Sequence, residues 1–291
     1  MDNIINLHEE CNNHTYRHGL YQAFSINDPK PRSIHKAKVR DRLLHHAIHR
    51  ILYPFFARTF IADSFSCQLG KGTHRALNRF RSFGYQVSQN HTKTVWVLKC
   101  DIRKFFANID HTILKDILAK YIPDSDILNL LGNIIESFST HPGVGLPLGN
   151  LTSQLLVNIY MNKFDQWIKH HMKVKQYIRY SDDFVIMSSD KSWLEELLSK
   201  IGGFLEENLR LQLHPDKVFI KTLASGVDFL GWVHFPDHRV VRTTTTRRMM
   251  KQIKEHPTNS TKQSYLGLLR HGNTHKIGEQ LEKNYILSSG K

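Results

Sequence analysis

Two adjacent carboxylates, Asp182 and Asp183, lie between two β-rich flanks, residues 177–180 (Tyr-Ile-Arg-Tyr) and 184–187 (Phe-Val-Ile-Met). A third, Asp101, ends the apolar run 95–100 (Val-Trp-Val-Leu-Lys-Cys). Ordinary aspartates prefer solvated loops. Acids at the ends of adjacent buried strands would gather like charges where water is scarce, which is unfavourable unless something strongly positive sits between them. A pair of Mg²⁺ ions meets that need, with hard oxygen ligands and a separation of ~3.5–4 Å that clamps the entering and leaving oxygens of an in-line phosphoryl displacement. The implied chemistry is nucleotidyl transfer. Taken alone, Asp182-Asp183 reads as a polar hairpin turn and Asp101 as a cap or turn acid; it is the joint arrangement of features along the chain that favours the metal site.

That arrangement begins with the 95–100 run, short and rich in β-formers, as expected of a strand buried on both faces. Asp110 is a helix N-cap, and Ile113, Leu114, Ile117 and Leu118 follow at helical spacing until Pro123 closes the segment. A Gly/Pro loop at 141–150 (His-Pro-Gly-Val-Gly-Leu-Pro-Leu-Gly-Asn) feeds a helix whose apolar face carries Leu155, Leu156, Ile159, Tyr160, Phe164, Trp167 and Ile168. Residues 176–188 have the pattern of an antiparallel hairpin with Ser-Asp-Asp at its tip. Ser192-Trp-Leu-Glu195 predicts a capping box for a helix to about residue 208, with Gly202-Gly203 weakening the rod, and strands are expected over 217–221 and 227–235.

The 291 residues suffice for one large domain or a few subdomains sharing a core. With 40% hydrophobic residues, wholesale disorder is excluded. Lys and Arg total 40 against 26 Asp and Glu, a net charge of +14 that suits a polyanion, nucleic acid first. The excess is concentrated at both ends: seven Lys/Arg against Asp41 within residues 30–50, and ten against three Glu within the mainly helical 242–291. Cys11, Cys67 and Cys100 lie too far apart for a local disulfide framework or zinc knuckle, which points to a reducing compartment. No apolar run approaches the ~18 residues that span a bilayer, so the expected location is the cytoplasm. His45 and His49 stand at i, i+4, with no metal set evident around them.

At the carboxylates a family resemblance becomes specific. Tyr180-Ser-Asp-Asp183 resembles the Tyr-x-Asp-Asp box of reverse transcriptases, and Asp101-Ile-Arg-Lys-Phe-Phe-Ala-Asn-Ile-Asp110 resembles their first palm motif. The likeness runs from Arg32 and Val39-Arg-Asp-Arg42 through Phe229-Leu-Gly231 to Ser264-Tyr-Leu-Gly-Leu-Leu. It implies an α+β right-hand polymerase fold with an N-terminal region and fingers over 1–94, an antiparallel-sheet palm with interleaved helices over 95–235, and a short helical thumb over 236–291. It also implies that Asp101, Asp182 and Asp183, with the Ile102 carbonyl, hold two Mg²⁺ ions, for which Mn²⁺ can substitute. Phe106 would be the steric gate against a ribose 2′-OH; on local sequence, a core Phe beside Phe105 is an equal alternative. Arg32 and Lys30 would meet the incoming triphosphate, although both also fit a solvated basic face. Lys217 would neutralise or protonate departing pyrophosphate, with a plain surface lysine as the other reading.

The glycine loop narrows the resemblance. Retroviral and group II intron enzymes usually show Gln-Gly followed by Ser-Pro, whereas this chain has Leu148-Gly149-Asn-Leu-Thr-Ser153-Gln154, similar to reverse transcriptases of diversity-generating retroelements. Such enzymes copy a template-repeat RNA into error-prone cDNA that replaces a variable segment of a target gene. Leu148 can offer only apolar contact where related enzymes place an amide, so base-pair geometry would be checked less tightly. The resemblance further implies template RNA, a template–primer duplex, dNTPs and a small basic accessory protein as partners. The alternatives are a reverse transcriptase of a retron, a phage-defence system or a degenerate group II intron and, from another class, a non-catalytic RNA-binding scaffold.

Overall fold

The computed structural model describes residues 2–27 and 31–289, so Lys30 lies outside the described residues. In chain order, helix α1 (Asp2–Asn12) precedes a hairpin of β1 (Gln22–Ile26) and β2 (Arg32–Lys36), and then come helices α2 (Val39–Ala57) and α3 (Thr73–Val87). Strand β3 (Trp96–Asp101), helices α4 (His111–Ala119), α5 (Ser125–Glu136) and α6 (Leu151–Gln166), and strands β4 (Tyr177–Tyr180) and β5 (Asp183–Ser188) follow. Helix α7 (Lys191–Leu209) and strands β6 (Phe219–Thr222), β7 (Val227–Phe229), β8 (Trp232–His234) and β9 (Arg239–Val241) lead to the terminal helices α8 (Thr243–Glu255), α9 (Asn259–Leu269) and α10 (His275–Ser289).

The centre is a four-stranded antiparallel sheet in the order β4-β5-β3-β6. Alternation along its strands makes two cores. Leu98, Cys100, Phe184, Ile186 and Tyr177 join the core shared with α2, α4, α6 and α7. Val97, Val185, Met187 and Ile178 join a second core with α3, the β7-β8-β9 sheet and the terminal helices. Because β3 and β5 are covered on both sides, they read as nearly continuous apolar runs.

Several local expectations hold. Asp110 caps α4, accepting from the Ile113 amide at 2.9 Å. The loop at 141–150 feeds α6, which is buried on nearly every side rather than along one stripe. Others need correction. The cap of α7 is Asp190, whose carboxylate accepts from the Trp193 amide, so the helix starts two residues earlier than a Ser192 cap would place it and runs unbroken through Gly202-Gly203. The expected strand at 227–235 is two strands, β7 and β8, reversed at Leu230 and Gly231, both with positive φ. Among the described residues, no helix is long and apolar enough to cross a membrane.

Candidate active site

Register brings two of the three acids together: in the β3–β5 ladder Asp101 is the direct partner of Asp183. β4 and β5 close with Tyr180 opposite Asp183, leaving Ser181 and Asp182 as the turn. Ser181 has φ +61°, a conformation that such two-residue turns normally give to glycine. The turn is tied to the neighbouring strand, because the Ile102 amide donates to the Asp182 carbonyl at 3.1 Å. The Asp101 carbonyl in turn accepts from the His214 amide at 2.7 Å.

Each strand-end carboxylate faces a lysine. Lys99 Nζ lies 3.3 Å from Asp183 Oδ2 with its side chain 9% exposed, and Lys217 Nζ lies 2.9 Å from Asp101 Oδ1. Asp183 Oδ1 is buried without a hydrogen-bond partner. Burial therefore dominates its protonation, pushing the Asp183 carboxyl up to about 7; Lys99 opposes the shift, and the charges of Asp101 and Asp182 add to it. The Asp182 carboxyl is also raised, first by burial and then by Asp101, against the pull of Lys217. Among the described residues, no three His, Cys, Asp or Glu side chains are gathered as a ready metal cage. The acids share one end of one sheet, but two of them are turned to lysines.

The other predicted residues divide by position. Ile102 and Phe105 are core residues, while Phe106 is half-buried, edge-on to Phe105 at 5.6 Å. Ser153 is buried in the first turn of α6, with Gln154 half-buried beside it. The Leu148-Gly149 loop is clasped by β2: the His35 amide donates to the Leu148 carbonyl at 2.9 Å, and Asn150 Nδ2 donates to the His35 carbonyl at 2.8 Å. Gly149 is required there, since its φ is +101° and a Cβ would meet Ile34 at 2.7 Å. Arg32 is exposed at the start of β2. His45 faces His18, with Nε2 atoms 3.2 Å apart, and His49 stacks on Tyr53.

Lys99 was missed by sequence reasoning. Its signal was a lone cation inside an apolar strand two residues before Asp101, which period-2 alternation puts on the same face as that acid.

Comparison with known proteins gives the same fold and a family. Residues 27–234 match the family model described as "Reverse transcriptase (RNA-dependent DNA polymerase)". Protein YkfC of Escherichia coli (strain K12) is 25% identical over 258 residues, covering 75% of this chain and 65% of that protein. The group II intron-encoded protein LtrA of Lactococcus lactis subsp. cremoris is 24% identical over 307 residues, covering 81% of this chain and 49% of LtrA. The chain thus spans about two-thirds and about half of these relatives. Among solved structures, apo telomerase from Candida tropicalis superposes with a TM-score of 0.61 at 9% identity, over 93% of this chain and 57% of that one. Telomerase from Candida albicans, in complex with a fragment of telomeric RNA, gives 0.60 at 11% identity, over 94% of this chain and 56% of that one. The shared architecture is the α+β right-hand polymerase fold.

Proposed function

The chain belongs to the reverse transcriptase (RNA-dependent DNA polymerase) family, and from that premise we propose that it is an RNA-directed DNA polymerase whose reaction takes place at the Asp101–Asp183 end of the central sheet. The observation that carries this reading is the β3–β5 register, which sets Asp183 opposite Asp101 with Asp182 in the adjoining turn. Fingers to residue 94, palm over 95–235 and thumb from 236 are the proposed divisions.

The residues present fit divalent cations. Asp183 Oδ1 is an orphaned buried acceptor, the donors are hard oxygens, and burial holds the Asp182 and Asp183 carboxyls above their usual range until opposing charge arrives. Asp101, Asp182 and Asp183, with the Ile102 carbonyl, would hold two Mg²⁺. Bound Mg²⁺ supplies a lowered pKa for the primer 3′-OH and neutralises charge on the triphosphate. The chain's own groups do the rest. Lys217, 41% exposed at its side chain, is able to leave Asp101 and give its charge or proton to departing pyrophosphate. Arg32 offers a bidentate fork to phosphate oxygens, and Phe106 packs under the sugar.

Within the family we place the chain with diversity-generating retroelements, on the strength of Leu148 and Gln154 in the glycine loop, with a template-repeat RNA and a small basic accessory protein as partners. The curated relatives favour a second reading, a group II intron-type enzyme, because LtrA carries that name.

The direct test is dTTP incorporation on poly(rA)/oligo(dT) with Mg²⁺. Asp182→Asn is expected to lower it by about 1,000-fold; equal signal from both proteins would remove the site. Misincorporation opposite each template base tests the narrower assignment. Leu148→Gln is expected to lower errors by roughly 10-fold, and unchanged errors would discard Leu148 as their cause.

A further inference from the structure

Three residues before the turn acid Asp182 stands Arg179, the largest fully buried side chain among the described residues. A guanidinium held away from water is tolerable only with full pairing. Here all five N–H groups find acceptors. Nε donates to Asp165 Oδ1 at 2.8 Å, and Nη2 donates to Asp165 Oδ2 at 2.6 Å and to Ser64 Oγ at 3.1 Å. Nη1 donates to Asn158 Oδ1 at 3.2 Å and to the Ser181 carbonyl at 3.1 Å.

The last pair matters most. One nitrogen bridges α6, through Asn158, and the backbone of the carboxylate turn. Asn158 Nδ2 in turn donates to the Gln154 carbonyl at 3.3 Å and to the Ser66 carbonyl at 3.0 Å. The frame behind it is also fixed: Asp165 accepts from the Tyr177 hydroxyl at 2.7 Å. Lys71 Nζ gathers the Ile61, Ala62 and Ser64 carbonyls at 2.8–3.2 Å. What Arg179 grips is the one residue of the turn with positive φ, Ser181, whose backbone would otherwise be free to relax toward commoner conformations.

We propose that Arg179 is a positioning residue: it locks the Ser181 peptide and so sets the direction of the Asp182 and Asp183 carboxylates relative to the start of α6. The proposal rests on the polymerase reading for its consequence but not for its geometry. The Asp165 pairing alone would satisfy a purely structural role; the Ser181 contact is what a positioning role requires.

Two variants separate these roles. Arg179→Lys keeps a cation beside Asp165 but presents its donors from a single atom, which cannot also reach the Ser181 carbonyl. Ser64→Ala removes one acceptor from the same guanidinium and leaves the turn contact in place. Measured per folded molecule, Arg179→Lys is expected to lower kcat by about 100-fold with KM for dTTP within about threefold of wild type. Amide exchange of residues 180–183 should quicken by about 10-fold or more. Ser64→Ala should stay within about threefold of wild type in all three quantities. Should Arg179→Lys fail to fold, Asn158→Ala, which strips the other acceptor from Nη1, is expected to quicken exchange at the turn and lower kcat by about 10-fold.

Equal kcat losses in Arg179→Lys and Ser64→Ala would overturn the proposal. So would unchanged exchange at the turn in Arg179→Lys or, in its place, Asn158→Ala. A wild-type protein without Asp182-dependent incorporation would instead defeat the polymerase reading, and the exchange data would still decide whether Arg179 anchors the turn.

Discussion

The two faces of the β4–β5 hairpin hold buried charge in opposite ways. Toward α6, Arg179 and Asp165 are both fully buried, and every guanidinium N–H has an acceptor. On the face shared with Val97, Val185 and Met187, Asp183 meets only Lys99, keeps one oxygen without a partner, and has its carboxyl pushed up to about 7. The first cluster is complete within the protein; the second is short of positive charge. A satisfied polar network rigidifies its surroundings, whereas an incomplete one costs stability and marks a functional site. Here the complete network braces the turn from which the incomplete one projects.

Breaking the complete side should weaken the fold strongly. Asp165→Asn leaves the Arg179 charge buried without its counter-ion and is expected to destabilise the protein by about 3–5 kcal/mol, read from urea unfolding. A loss below about 1 kcal/mol would mean that the two faces do not differ as described.

On the open side the expected effect depends on pH. An acid whose pKa rises from 3.8 to about 7 on folding binds its proton more tightly folded than unfolded. The Asp183 contribution therefore lowers stability as pH climbs through that interval, and the deficit persists above it. Metal-free wild type should lose on the order of 4 kcal/mol from this source between about pH 4 and about pH 8. Asp183→Asn should lack that component and be the more stable protein at neutral pH, as expected where a functional acid is kept at the expense of the fold.

Much of this was legible in the sequence because the signals were local. The Asp110 cap, the apolar β3 run, and the hairpin with its acidic tip each follow from residue type and spacing over a few positions. The β1–β2 hairpin was not legible: β1 is exposed at every residue and β2 nearly so, which leaves no burial alternation to read. The β7–β8 reversal was hidden because its strands are three residues each and Leu230, a poor candidate for positive φ, sits in the turn. Asp190 and Ser192 are both good caps, so spacing could not choose between them. The role of Arg179 was least accessible. Its partners Ser64, Asn158 and Asp165 lie 14 to 115 positions away, and nothing in Tyr-Ile-Arg-Tyr says which face of the strand is buried.

Thermal unfolding of wild type and Asp183→Asn, with and without Mg²⁺ at about pH 8, tests most directly whether divalent cations complete the open cluster. Mg²⁺ should raise the melting temperature of wild type and leave Asp183→Asn unmoved. The same shift in both proteins, or in neither, would contradict the assignment of these carboxylates as the metal-binding centre.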